Sequence, residues 1–361
     1  MTTDNEPTTS KVWNEFCDRL REAGQGLIDA AAPQDTLTQD EGVRYLLRLL
    51  RYSSLNNIEY SDPMYPEFTY ALDPNVKCKI GADNPDNIYM SARISGKHRY
   101  RISGSRGTVP LITFGSKASR YHLDGTMAST GEISTDEIPV DADGNFSFIA
   151  SVDRPAEGAW LPLAADTNGL VGRQSFQDRS TEIPAQVRIE LIDEAPQPAP
   201  IDTDAFARQL KLTTAFVKGT AATFAKWTKM FMTRPNELPD WGQDHFQNAG
   251  GDPTIFYLHG YWKLAEDEAW VIETEVPDCE YWNFVLQNWW MESLDHDRMN
   301  TYINNHTAEL NDDGTLTIVV AAKDPGFGNW ISTAFHDEGT ALMRWVGADN
   351  HPLPSCKVVK L

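Results

Sequence analysis

The chain has 361 residues, of which 52 are acidic and 31 are basic, and its net charge is −21. This charge repels nucleic-acid phosphates and anionic lipid headgroups, so the composition excludes nucleic-acid binding and attachment to a membrane surface. The same field disfavours a strongly anionic substrate unless a local Arg or Lys pocket overrides it, and a neutral or cationic small molecule is the expected partner.

The N-terminal region, residues 1–75, is predicted to be helical. Apolar residues recur at helical spacing from Ser10 to Ile28 and from Val43 to Leu55, and the prolines of 62–66 end the second helix. No apolar run reaches the roughly 18 residues of a membrane-spanning helix. The first residues also lack the basic and apolar stretches of a secretory signal, so a cytoplasmic location is expected.

Residues 76–200 are predicted to form the first half of a β-sandwich. The segment 87–94 alternates, Gly96-Lys97 makes a turn, and 98–103 follows as a partner strand, which indicates a hairpin. Further strands are predicted at 109–114, 121–126, 146–151, 169–176 and 186–193. Residues 201–250 are predicted to be a helical insertion over 203–233, followed by a long loop.

Residues 251–361 return to β patterns and are predicted to form a jelly-roll-like C-terminal half. The predicted fold class is mainly β, with a β-sandwich or jelly-roll core, N-terminal helices and an inserted central helical segment. No internal repeat at a fixed period is recognised, and the sequence leaves open whether the two β halves form one sandwich or two. The predicted strands are 254–259, 268–275, 281–290, 315–322 and 340–345.

The most distinctive motifs lie in the C-terminal third of the chain. They read HGYWKLAEDEAWVIETEVPDCEYWNFVLQNWWMESLD, NNHTAEL and DPGFGNWISTAFHDEGTALMRW, and GADNPDNIYMSARISGKHRYRISG precedes them at 81–104. These motifs resemble the bacterial domain-of-unknown-function family numbered twelve-fourteen, over roughly residues 40–361. The resemblance implies a C-terminal β-sandwich of jelly-roll type and implies no established catalytic residues.

Aromatic residues dominate the predicted strand 281–290 and suggest a binding surface. Alternation places Asn288 on an apolar face, where a buried amide either ties down a neighbouring loop or anchors a ligand in a small-molecule pocket. Arginines on two other predicted strands could orient the ligand. The predicted substrate-binding residues are Asn283, Asn288, Trp262, Trp282, Trp289, Trp290, Arg173 and Arg344.

His336 is the strongest candidate for a general acid or base, because histidine titrates near neutral pH. Asp178 and Glu182 could serve as paired carboxylates, although acidic residues four apart are common in an acidic chain. The histidines show no metal-ligand spacing, so no metal is predicted. The sequence has no GxGxxG loop, P-loop or GxSxG elbow, and no cofactor is predicted.

Together these features favour a cofactor-independent enzyme that uses acid/base chemistry in an aromatic-lined pocket. Its substrate would be a neutral, partly hydrophobic molecule such as a sugar derivative, a steroid or a terpenoid. Two alternatives remain open: a non-catalytic carbohydrate- or lipid-binding sandwich, and a module whose aromatic residues form the interface of a homo-oligomer. A concave pocket would favour the enzyme, an exposed tryptophan strip the binding module, and a two-fold contact the oligomer.

Overall fold

A computed structural model describes residues 9–30, 32–73, 77–197 and 199–361. The N-terminal region contains two helices, α1 (Thr9–Ile28) and α2 (Thr36–Ser54). Helix α2 begins where the side chain of Asp35 accepts a hydrogen bond of 2.8 Å from the backbone N–H of Thr38, a typical N-cap. A π-helical turn, Leu55–Glu59, continues from its end.

The central helical segment consists of a long helix, α3 (Thr203–Phe231), and a short one, α4 (Gln243–Gln247). Asp202 caps α3 by accepting hydrogen bonds from the backbone N–H groups of Asp204 and Ala205. Helix α3 packs against α1 and α2, so the three long helices form one layer. No helix among the described residues is long and apolar enough to cross a membrane.

Sixteen strands among the described residues form four sheets of four strands each. The first eight strands form a sandwich of two sheets, ordered β1-β7-β3-β4 and β6-β5-β2-β8. Its strands are β1 (Asn87–Ala92), β2 (Tyr100–Ser105), β3 (Leu111–Ser119), β4 (Met127–Ser134), β5 (Asn145–Ser151), β6 (Ala159–Pro162), β7 (Gly169–Ser175) and β8 (Gln186–Leu191).

The last eight strands form a second sandwich, with sheets ordered β9-β15-β11-β12 and β14-β13-β10-β16. The predicted fold class, mainly β with helices at the N-terminus and in the centre, is confirmed. The strands of the second sandwich are β9 (Ile255–Lys263), β10 (Glu268–Thr274), β11 (Tyr281–Leu286), β12 (Tyr302–Asn304), β13 (Leu316–Ala321), β14 (Asn329–Ser332), β15 (Glu338–Val346) and β16 (Ser355–Lys360).

The second sandwich repeats the topology of the first, because each strand from β9 to β16 takes the place of the strand eight positions earlier. Local details repeat as well. The indole N–H of Trp160 donates to the carbonyl of Ser151 at 3.0 Å, and that of Trp330 donates to Ala321 at 3.0 Å. The two β halves are therefore two sandwiches of one design, a repeat that the sequence analysis did not recognise.

The predicted hairpin of 87–94 and 98–103 is wrong, because β1 pairs with β7 while β2 pairs with β5 and β8 in the other sheet. Two predicted strands also differ from the observed ones, and side-chain hydrogen bonds explain both. Residues 121–126 do not form a strand, because Asp124 accepts bonds from the backbone and hydroxyl of Thr126 in a turn that precedes β4. Strand β11 ends at Leu286, since Asn288 accepts from the backbone N–H groups of Trp290 and Glu292 and folds the chain back.

Candidate functional site

A cavity of about 200 Å³ lies where the two sandwiches meet helix α3. Each sandwich contributes one sheet to its wall, β1-β7-β3-β4 from the first and β9-β15-β11-β12 from the second. The helical side of the wall is mainly aromatic, and α3 and α4 supply most of it. Its aromatic residues are Tyr52, Phe216, Phe224, Trp227 and Phe246, and Thr220 of α3 lies among them. Such apolar walls with a few polar groups are typical of small-molecule sites.

Strand alternation decides which sheet residues face the cavity. On β15, Leu342, Arg344 and Val346 line it, whereas Met343 and Trp345 between them belong to the core of the second sandwich. The other lining residues that follow this alternation are Tyr257 and His259 on β9, Val171, Arg173 and Ser175 on β7, and Tyr89 and Ser91 on β1.

The cavity has a buried end and a partly exposed margin. Leu72, Leu111 and Met127 lie at the margin and are half-buried. Tyr257 and His259 also line the cavity and are buried.

Two arginines cross between the sandwiches in equivalent ways. Arg173 of the first sandwich donates to the carbonyl of Gly250, in the segment before β9, at 3.0 Å. Arg344 of the second sandwich donates to the carbonyl of Ala82, in the equivalent segment before β1. Each guanidinium therefore holds the other sandwich's leading segment against its own sheet.

The two leading segments have the same local structure. The backbone N–H of Asn84 donates to the hydroxyl of Tyr89 at 2.9 Å, and that of Asp252 donates to the hydroxyl of Tyr257 at 2.8 Å. Asn84 and Asp252 therefore occupy equivalent positions in the cavity wall.

Asp252 forms an ion pair with Arg173, with 3.3 Å between Oδ2 and Nη1. Burial by itself raises the pKa of Asp252, but the charge of Arg173 and hydrogen bonds from Thr254 lower it below its usual value. The carboxylate is therefore ionised at neutral pH, and its negative charge balances the positive charge of Arg173.

His259 is buried among aromatic rings and lies parallel to Phe231, with ring centroids 5.0 Å apart. Burial lowers the pKa of His259 well below its usual value, and the charge of Arg344 lowers it further. The ring is therefore neutral at neutral pH. Its Nδ1 atom has no hydrogen-bond partner among the described residues.

The structure brings three of the predicted binding residues together at the cavity. Arg173 and Arg344 line it, and Asn283 accepts a hydrogen bond from Arg344 at 3.2 Å. Arg173 is the only charged residue of β7, and Arg344 is the only basic residue of β15.

The four tryptophans predicted to bind the substrate do not line the cavity. All are buried in hydrophobic cores, so no exposed strip or pocket wall is built from them. Trp262 and Trp282 belong to the core of the second sandwich, and Trp289 and Trp290 to the core beneath the helices.

His336 and Asn288 lie apart from the cavity, beneath helix α2. His336 Nε2 is 3.1 Å from the carboxylate of Glu41, and Nδ1 is 2.9 Å from the carbonyl of Ala334. Asn288 donates to Glu41 at 2.9 Å and to Glu292 at 3.0 Å. This cluster joins the N-terminal helices to the second sandwich, and His336 has partners at both ring nitrogens.

Asp178 and Glu182 also lie outside the cavity, on the loop between β7 and β8. Asp178 accepts bonds from the hydroxyls of Ser180 and Thr181, which lower its pKa to about 2. Glu182 accepts from the backbone N–H of Gln177 at 3.0 Å. Both carboxylates accept hydrogen bonds from within the loop and so shape it.

Sequence reasoning missed Asp252, Tyr257 and His259 as cavity residues. A signal for the first two was present, because residues 84–89 read NPDNIY and residues 252–257 read DPTIFY. Nothing local marked His259, whose place depends on aromatic residues of α3 and α4. No group of three or more His, Cys, Asp or Glu among the described residues could hold a metal ion.

The chain is similar to solved structures over nearly its whole length. An uncharacterized protein from Burkholderia cenocepacia is 42% identical, covers 98% of this chain and 97% of its own, and superimposes with a TM-score of 0.94. A protein from Vibrio parahaemolyticus is 12% identical, covers 96% of this chain and 99% of its own, and has a TM-score of 0.53, which shows a similar fold alone.

A family model described as a protein of unknown function, DUF1214, matches residues 263–350, which lie in the second sandwich. This match agrees with the predicted resemblance for that part of the chain. No curated protein matches. The chain therefore belongs to the same protein family as the Burkholderia cenocepacia protein, with a DUF1214 region in its second sandwich.

Proposed function

We propose that the protein binds a small, largely apolar organic molecule in the cavity between its two sandwiches. The wall supports this proposal through its composition, since aromatic rings from α3 and α4 face a layer of sheet residues with few polar groups. Burial of apolar ligand surface against such a wall would supply most of the binding free energy.

The observation that carries the proposal is a pair of unsatisfied polar atoms in the wall. The hydroxyl of Thr220 on α3 and Nδ1 of His259 on β9 are buried and have no hydrogen-bond partner among the described residues. Buried polar atoms are normally paired, because leaving one unpaired costs roughly 1–3 kcal/mol. A ligand with a hydroxyl or carbonyl group would satisfy both atoms.

The test uses Trp227, which lies in the cavity wall, as a reporter. The tryptophans of the whole chain are labelled with fluorine, and the resonance of Trp227 is identified by its loss in Trp227→Phe. Titration with decanol and decanoate should shift this resonance. The resonance of Trp330, which lies in the outer sheet of the second sandwich, should stay in place.

A blocked cavity provides the control. Val171 lines the cavity from β7, and Val171→Phe would fill part of the space without adding charge. A shift of Trp227 that disappears in this variant supports the proposal. If neither probe shifts Trp227, or if the shift persists unchanged in Val171→Phe, the cavity is not the binding site.

A second function, acid/base catalysis in the same cavity, is favoured by His259. Its Nδ1 lines the cavity without a partner and could accept a proton from a bound substrate, the role first expected of His336, although the lowered pKa makes the ring a weak base. Bacterial small-molecule extracts incubated with wild type and with His259→Gln would be compared by mass spectrometry. A compound consumed by wild type alone would support catalysis, provided that the variant still shifts Trp227.

A further inference from the structure

We infer that the ligand of this cavity carries one carboxylate group and that Arg344 binds it. This inference rests on the proposed binding function and specifies its ligand class, an apolar molecule with a single anionic head. It starts from a difference between the two sandwiches at positions that are otherwise equivalent.

The first step is the equivalence of the two arginines. Arg173 on β7 is the register partner of Tyr89 on β1, and Arg344 on β15 is the register partner of Tyr257 on β9. Both guanidinium groups donate to the leading segment of the other sandwich, as described above. We therefore expect the positive charges of both arginines to be balanced in the same way.

The second step is that only one of the two arginines is paired with a carboxylate. Arg173 pairs with Asp252, but the position equivalent to Asp252 in the other leading segment is Asn84, which is uncharged. Arg344 is 4% exposed and has no carboxylate within ion-pair distance among the described residues. Its described acceptors are the carbonyl of Ala82 and the amide oxygen of Asn283, both neutral.

The two carboxylates next to Asn84 in the segment before β1, Asp83 and Asp86, have other partners. Asp83 accepts from the backbone and hydroxyl of Ser293, at 3.0 and 2.6 Å. Asp86 accepts from the hydroxyl of Tyr281 at 2.6 Å and from the amide of Asn304 at 3.0 Å. Arg344 is thus a buried cation that faces the cavity and makes its described hydrogen bonds with neutral groups.

The third step is the chemistry of an unbalanced buried guanidinium. Removing a cation from water is costly unless an anion compensates it, and the planar fork of arginine matches a carboxylate in geometry. The chain's net charge of −21 opposes anions at long range, so a local cation is needed to bind one. Because a single cation is unbalanced, a monoanion fits better than a phosphate ester with two charges.

The neighbouring residues define the remainder of the ligand. His259 lies two residues along β9 from Tyr257, the register partner of Arg344, so the side chains of Tyr257 and His259 leave the same face of β9 about 7 Å apart along the strand, and Nδ1 of His259 is free. The aromatic residues of α3 lie beyond it. These positions fit a carboxylic acid with an apolar body and a hydroxyl or carbonyl near the acid group.

The experiment compares decanoate with decanol on three forms of the whole chain: wild type, Asn84→Asp and Arg344→Gln. Binding is followed by the Trp227 resonance and by calorimetry. Wild type should bind decanoate about 10-fold or more tightly than decanol, since hydrogen bonds to charged groups are the stronger ones. Asn84→Asp should place the missing carboxylate beside Arg344 and remove this preference while leaving decanol binding in place.

Arg344→Gln should also lose the preference for decanoate over decanol. It provides a second test of the inference if Asn84→Asp does not fold. Arg188→Gln is the matched control, because it removes the same charge from the outer sheet of the first sandwich, where Arg188 contacts Ser103. It should bind both probes as wild type does.

Each outcome separates the two proposals. If decanol binds as tightly as decanoate to wild type, or if the preference survives in both cavity variants, the carboxylate inference is overturned and the binding function stands. If neither probe binds any folded form, the binding function itself fails. Loss of the preference in Arg188→Gln as well would mean that total charge, and not Arg344, selects the anion.

Discussion

Arg173 and Asp252 form an ion pair that joins the first sandwich to the leading segment of the second, with 3.3 Å between Nη1 and Oδ2. The carboxylate is 2% exposed. It also accepts from the hydroxyls of Thr113 and Thr254, at 3.2 and 2.7 Å. Three parts of the chain therefore meet at one buried carboxylate.

Asp252→Asn is expected to lower the free energy of unfolding by about 3–5 kcal/mol, because it leaves the buried guanidinium of Arg173 without its counter-charge. Chemical denaturation of wild type and variant measures the change. Asp267→Asn is the surface control, since Asp267 pairs with Lys360 where both side chains are exposed, and it should leave stability nearly unchanged. Equal losses in the two variants would contradict a special role for the buried pair.

The pair of His336 and Glu41 should make stability depend on pH. Burial by itself lowers the pKa of His336, but the hydrogen bond and charge of Glu41 raise it above 6.5. Burial by itself raises the pKa of Glu41, but the hydrogen bond and charge of His336 lower it below 4.5. The stabilisation by His336 is therefore complete below its unfolded pKa and lost as pH rises through the folded value, and that by Glu41 is lost as pH falls.

His336→Gln is thus expected to destabilise the protein most between about pH 4.5 and 6.5, by roughly 3 kcal/mol, and less as the pH rises further. Denaturation curves across pH for wild type, His336→Gln, Glu41→Gln and the double variant give the coupling energy. A coupling that is constant with pH would show that the pair is not ionic. Decanoate binding should be unaffected, because neither residue lines the cavity.

The sequence predicted the sheets better than the site, and the reason is the range of the interactions. Period-2 alternation is local, so strands such as Asn87–Ala92 and Leu316–Ala321 were identified. His336 and Glu41 are 295 residues apart, and the cavity needs α3 laid across two sandwiches. No local pattern encodes such distances.

The four tryptophans of the predicted binding site lie outside the cavity for a related reason. Alternation tells which residues share a face but not whether that face meets a core or a cavity. In β11 both faces are buried, and Trp282 packs on Trp345 in the core of the second sandwich. Arg173 and Arg344 do line the cavity, and a cation in a buried strand needs a specific environment whichever face it occupies.

Thr220→Val is expected to raise the free energy of unfolding by up to about 1 kcal/mol without ligand, because it removes a buried hydroxyl that has no partner. Thr228→Val on the same helix is the matched control. The hydroxyl of Thr228 donates to the carbonyl of Trp289 at 3.0 Å, so its loss should destabilise by about 1–2 kcal/mol. Thermal and chemical unfolding measure both variants. Stabilisation by Thr220→Val together with destabilisation by Thr228→Val would support an unsatisfied group in the cavity wall. Two losses of stability of equal size would contradict it.

Trp262→Phe separates the core role of this residue from its predicted binding role. The indole N–H donates to the carbonyls of Thr340 and Gln287, at 3.1 and 3.3 Å, and the ring is fully buried. The variant should lose about 1–3 kcal/mol of stability, because it leaves a gap and two buried carbonyls short of a donor.

Ligand affinity should stay the same in folded Trp262→Phe, since the ring does not reach the cavity. Trp227→Phe gives the contrast, because Trp227 lines the cavity and its replacement should weaken decanoate binding while it also costs stability. Calorimetric titration of both folded variants checks this pair. Weakened binding in Trp262→Phe at an unchanged melting temperature would show that the ligand site includes the tryptophan strand. Equal affinities in both variants would show that the ligand site does not include α3.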